Sequence, residues 1–133
     1  MDAKGRILIV DDNTDLLDYL REFFVIYNYE VIVGENGAEG LELFNQYRPE
    51  LVITDMRLPD ITGNLVVEGI RRMDPQVPVI IITGFSDQTL IVDAMKNGAV
   101  DLLRKPFRSK DLKYLINKVE TLFRKKQVSR HAE

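Results

Sequence analysis

Five side chains carry the chemistry legible in this sequence: Asp11, Asp12, Asp55, Thr83 and Lys105. Each stands at or just past the end of a short apolar run, at residues 7–10, 51–53, 79–82 and 102–103. If those runs are parallel strands of an open α/β sheet, their carboxyl ends form the edge where ligands bind. Three carboxylates, one hydroxyl and one ammonium at that edge suit a divalent cation and a phosphoryl group.

Taken singly, each residue has an ordinary explanation. Asp11 and Asp12 could cap the helix that follows, and Asp55 could open a turn. Thr83 could simply end a strand, Lys105 before Pro106 could be a surface lysine, and His131 in the tail reads as solvated. Taken together, those explanations fail. Adjacent parallel strands lie ~4.8 Å apart, and three carboxylates that close repel one another unless a cation sits among them. Hard oxygen ligands with room for water suit Mg2+. Lys105 adds a compact positive charge, and Thr83 offers a hydroxyl donor. Phosphoryl transfer uses these parts: cations to neutralise the equatorial oxygens and a carboxylate to attack in line.

The elements that must position these groups alternate regularly. Residues 6–10 form a continuous apolar, β-branched run, as in a strand covered on both faces. A helix is predicted over about 14–27, capped by Asn13 or Thr14, with Leu16, Leu20, Phe23, Phe24 and Tyr27 on one face. Strand 30–33 and a helical stripe of Ala38, Leu41, Phe44 and Tyr47 follow, and Pro49 punctuates before strand 51–54. Residues 55–63 read as a loop, with Pro59 and Gly63 marking its turns. A short helix over 64–73 leads to the strongest strand, 79–82. A fourth helix over about 87–97 stops at Gly98, and the fifth strand spans about 100–103. The last helix sets Leu112, Leu115, Ile116, Val119, Leu122 and Phe123 on one face. Five strand–helix repeats imply right-handed crossovers and a doubly wound α/β fold, a parallel sheet with helices on both faces.

With 133 residues the chain is one domain, large enough to bury a core without disulfides. It has no cysteine, which excludes thiolate metal sites and disulfide chemistry. No apolar run approaches a membrane span and the N-terminus lacks a signal pattern, so a cytoplasmic location is the default expectation. The net charge of −3 conceals an asymmetry. Residues 1–103 hold 8 Lys/Arg against 18 Asp/Glu, whereas residues 104–133 hold 10 against 3. A basic end can meet an acidic partner or nucleic acid. The plainer reading, a solvated helix face running into a tail, is preferred.

With its motifs assembled, the chain resembles the receiver domain of two-component response regulators, the CheY-like family. The resemblance is carried by Asp11-Asp12, by Asp55 with Leu58-Pro59 and Gly63, by Thr83-Gly84, and by Gly98-Ala99 with Asp101, Leu103 and Lys105-Pro106-Phe107. It covers about residues 5–124.

The resemblance implies a flavodoxin-like sheet of five strands in the order 2-1-3-4-5. It implies that Asp55 is the phosphoacceptor, phosphorylated by a sensor histidine kinase or a histidine phosphotransfer protein. Asp12, Asp55 and the backbone carbonyl of Arg57 would bind Mg2+ directly, and Asp11 would act mainly through metal-bound water. Lys105 would contact the phosphoryl group, held by a bond to Pro106 that is usually cis in this family. Thr83 would move inward on phosphorylation as the fourth helix and fifth strand repack. The surface of the last two helices and the fifth strand would face a downstream effector or output domain, and in many relatives it forms a homodimer. The receiver domain would span 1–124, with 125–133 a basic tail or the start of a linker. Neither a membrane nor nucleic acid is an expected direct partner. The chain would be an enzyme only in catalysing its own phosphorylation and dephosphorylation.

Three positions are singled out beyond these. Relatives usually carry Tyr or Phe where this chain has Leu102, so coupling to Thr83 must be steric here. Arg57 and Phe85 flank the site, at positions that tune water access to the acyl phosphate in the family; shielding by them predicts slow self-dephosphorylation. An aspartyl-phosphate phosphatase is the competing enzyme reading, but Arg57 stands where its second catalytic Asp belongs. A pseudo-receiver is disfavoured by intact Asp12, Asp55 and Lys105, and a dinucleotide-binding enzyme by the lack of a Gly-rich turn after the first strand. A free-standing regulator and a receiver within a larger regulator or hybrid kinase both fit.

Overall fold

The β-branched run Arg6–Val10 forms strand β1, and Asn13 caps the helix that follows, its side chain accepting from the Leu16 backbone N–H. In chain order the elements are β1 (Arg6–Val10), α1 (Thr14–Ile26), β2 (Glu30–Gly34), α2 (Gly37–Tyr47) and β3 (Leu51–Asp55). Then follow α3 (Gly63–Met73), β4 (Val79–Thr83), α4 (Gln88–Lys96), β5 (Asp101–Arg104) and α5 (Ser109–Ala132). The computed structural model describes residues 2–84 and 88–132, with side chains as far as Lys126.

The five strands are parallel and ordered β2-β1-β3-β4-β5, as expected. The two-residue strand period divides their side chains between two cores. Ile7, Ile9, Ile53, Ile80, Ile82 and Leu103 pack with α1 and α5. Leu8, Val10, Val52, Val79 and Ile81 pack with α2, α3 and α4. β3 and β4 are buried throughout because helices cover both of their faces.

The helical stripes need adjustment at their ends. Leu17, outside the predicted stripe, is buried in α1, whereas Tyr27 is 39% and Tyr47 41% exposed. Each tyrosine sits at the end of its helix and lays its ring on a neighbour, Tyr27 against Phe23 and Tyr47 under the Arg6 guanidinium. Gly98 ends the α4 segment with φ 106°, a left-handed conformation that favours glycine.

The backbone of 125–132 continues α5 as helix. No Gly or Pro interrupts residues 109–132, and basic side chains suit a helix C-terminus. The His131 side chain lies outside the described residues. Among those described, no helix is long and apolar enough to cross a membrane.

Candidate functional site

The chain leaves β1 toward β2 on one side and returns through α2 to β3 on the other. β1 and β3 are therefore neighbours at the point where the winding reverses, the place where open α/β sheets bind ligands. Val10 pairs with Thr54, so Asp11 and Asp12 emerge beside Asp55. On the far side, Thr83 pairs with Arg104, and Lys105 follows at once. Register alone thus draws the predicted residues to one edge.

The side chains meet there. One carboxylate oxygen from each of Asp11, Asp12 and Asp55 lies within 4.8 Å of the others, a grouping that could hold a cation. Asp11 and Asp55 are buried and Asp12 is exposed, so the cluster opens to solvent on one side. Lys105 Nζ donates to Asp11 Oδ2 at 2.7 Å and to Asp55 Oδ2 at 3.0 Å. The other oxygen of Asp11 accepts from the Asn13 backbone N–H. The Lys105–Pro106 peptide bond is cis.

Among the described residues, the Lys105 ammonium is shared by two carboxylates of this acidic cluster. Burial raises Asp55 above the ordinary aspartate value, the nearby Asp11 charge adds to the effect, and the Lys105 hydrogen bond only partly offsets it. At Lys105 burial works against the charge, but hydrogen bonds to Asp11 and Asp55 outweigh it and leave the ammonium above its usual value. The residual negative charge is what an added divalent cation would neutralise.

Thr83 is buried at the end of β4, and its carbonyl accepts from the Lys105 backbone N–H at 2.8 Å. Arg57 opens the loop after β3, pairs with Thr62 in a short antiparallel bridge, and has an exposed side chain. Leu102 is partly buried against the core on the α4 side, and its N–H donates to Asp101 Oδ1. Phe85 lies outside the described residues. A cleft of about 520 Å3 lined by Asn13, Leu16, Tyr19, Gly84, Pro106 and Phe107 opens beside Lys105.

Asp60 escaped the sequence reading. Its carboxylate accepts from the Gly37 and Ala38 backbone N–H groups, each at 2.8 Å. The acceptor and its donors are more than twenty residues apart, so no local pattern announces the contact. The Tyr114 hydroxyl, likewise unannounced by any local pattern, donates to Asp101 at the outer edge of β5.

Known proteins share this fold. The family model for the response regulator receiver domain matches residues 7–117. The chain is 32% identical over 114 residues to the chemotaxis protein CheY of Bacillus subtilis, an alignment covering 85% of this chain and 95% of that one. It is 31% identical over 131 residues to the regulatory protein AtoC of Escherichia coli, covering 98% of this chain but only 28% of AtoC. A solved CheY-like receiver domain protein from Methanospirillum hungatei JF-1 superposes with a TM-score of 0.86 at 27% identity, over 93% of this chain and 97% of the other. The match over residues 7–117 makes this chain a member of the response regulator receiver domain family of two-component signalling.

Proposed function

We propose that the chain is a phosphorylation-controlled switch in which Asp55 accepts a phosphoryl group from the phosphohistidine of a sensor histidine kinase or histidine phosphotransfer protein. The observation that carries this reading is the Lys105 ammonium bonded to both Asp11 and Asp55 inside a three-carboxylate cluster. Mg2+ held by Asp12, Asp55 and the Arg57 carbonyl, with Asp11 acting through a bound water, would neutralise charge on the phosphoryl oxygens.

The protein's own groups supply the remaining chemistry. An Asp55 carboxylate oxygen forms the new P–O bond as the P–N bond breaks, and the electron pair leaves on the imidazole nitrogen. Lys105 keeps its hydrogen bond to Asp11 and turns its second donor from Asp55 to a phosphoryl oxygen. The cleft beside Lys105 leaves room for the donor. Thr83 then hydrogen-bonds the phosphoryl group, and Leu102, packed on the α4 side, passes the change to α4 and β5 by steric contact. The exposed Val92 and Met95 of α4 and Tyr114 of α5 give that surface apolar area for an effector, an output domain or a second copy.

In this reading residues 1–124 form the receiver domain, and 125–133 are a basic tail or the start of a linker. The chain spans about a quarter of AtoC and nearly all of CheY, so both a longer regulator and a free-standing one fit. Incubation with Mg2+ and either acetyl phosphate or a phosphorylated histidine donor tests the reading. A single labile adduct, found by mass spectrometry and lost on Asp55→Asn, supports it. A chain left unmodified by both donors would falsify it.

A further inference from the structure

The loop between β3 and α3 is tied down at three levels. At its base the Gly63 N–H donates to the Met56 carbonyl at 2.7 Å, and at mid-height Arg57 pairs with Thr62. At its tip Asp60 spans the first turn of α2, taking the Gly37 N–H on one oxygen and the Ala38 N–H on the other. These donors hold the Asp60 carboxyl below its ordinary value, the Ala38 N–H most and the Gly37 N–H next. Ile61 closes over Gly37 so tightly that a Cβ there would come within 2.6 Å of Ile61 Cδ1.

The helix that receives this latch is itself seated on β1. Gly40 sits against Val10, where a Cβ would lie 2.7 Å from Val10 Cγ2, and the Asp11 N–H donates to the Gly34 carbonyl at 3.0 Å. A closed circuit results. Asp11 and Asp12 follow Val10, Val10 carries α2, α2 holds Asp60, and Asp60 holds the loop that follows Asp55 and contains Arg57.

We propose that Asp60 is a positioning residue for the cation site. It sets the loop bearing the Arg57 carbonyl at a fixed distance from the β1 carboxylates, so that ligands from two separate segments are arranged before the cation arrives. The inference rests on the Mg2+ reading given above. Without the latch, part of the binding free energy goes into ordering the loop.

Calorimetric titration of the full chain with Mg2+, well below its melting temperature, tests this. Asp60→Ala is expected to raise the Kd about tenfold, the lower end of the effect of losing a group that orients metal ligands. Asp60→Asn, which keeps one acceptor oxygen, is expected to fall between, and serves if the alanine variant does not fold. Asn36→Ala is the control, because Asn36 caps the same helix through the Glu39 N–H but holds no part of the loop. It is expected to lower the melting temperature and leave the Kd within twofold. In phosphorylation by acetyl phosphate, Asp60→Ala is expected to raise the Mg2+ concentration for half-maximal rate and to leave the rate at saturating Mg2+ within twofold. Equal Kd values for Asp60→Ala and the unmutated chain, or an equal rise in Asn36→Ala, would overturn the positioning role alone. An unmutated chain that takes up no Mg2+ would overturn the metal reading beneath it.

Discussion

Lys105 and Asp55 are 50 residues apart in the chain, yet the ammonium of one donates to the carboxylate of the other at 3.0 Å. The contact exists because β4 lies between β3 and β5 and the register of both pairs brings the strand ends level. Its consequence is a site whose charges are only partly compensated.

Asp55→Asn should make the metal-free protein more stable at neutral pH while abolishing the phosphoryl adduct. Burial raises Asp55 above the ordinary value of 3.8. A carboxyl with its folded pKa raised favours folding most when protonated, and that advantage is lost as pH rises through the folded value. The unmutated protein and Asp55→Asn should therefore agree in acid and diverge toward neutral pH, with the unmutated chain the less stable. Urea unfolding of both, in chelator, across that range checks the sign. A variant less stable at pH 7 would contradict it.

Lys105→Met should act in the opposite direction. Asp11 is fully buried, and losing the ammonium leaves one of its oxygens without that donor. The expected loss in the metal-free protein is about 1–3 kcal/mol, the usual range for a buried acceptor left unpaired. Because the lysine's folded pKa is raised, the stability it confers is complete below the unfolded lysine value and fades as pH rises through the folded one. The difference between unmutated and variant chains should thus persist at neutral pH and shrink only in strong alkali. Phosphorylation of the variant should fall at least tenfold at saturating Mg2+. Equal stability and equal rates would show that the bridge contributes nothing.

Gly63→Ala should damage the site from behind. A Cβ at this position would collide with the Asp55 carbonyl oxygen and lie 2.8 Å from Met56 Cα, both backbone atoms that cannot swing away. Overpacking of this kind costs about 1–3 kcal/mol, and here the displaced backbone carries Asp55, the proposed phosphoacceptor. Lower thermal stability together with slower phosphorylation is expected. An unchanged melting temperature would mean that the loop relaxes more easily than its hydrogen bonds suggest.

Much of this protein was readable from residue order because each inference used short-range information. The alternation of β-branched runs with three- and four-residue apolar stripes is local, and five repeats of it leave few topologies. Asp11, Asp55, Thr83 and Lys105 stood out because each follows such a run directly or within two residues. Leu17 joins the buried side of α1 while Tyr27 and Tyr47 stay partly exposed, because a helix stripe is wider than one residue and the neighbouring element decides which edge of it is covered. The helical course of 125–132 is not encoded in the apolar stripe, since the end of such a stripe does not require the end of a helix.

Residue order by itself determined the doubly wound architecture, the five side chains at its carboxyl edge and the family to which they point. Tertiary structure decided that Lys105 bridges Asp11 and Asp55, that Asp12 faces solvent while its neighbour is buried, and that Asp60 latches the loop to α2. The physical reason is distance along the chain. Hydrogen bonds between groups tens of residues apart depend on strand register and helix seating, and those are settled only when both cores close around the sheet.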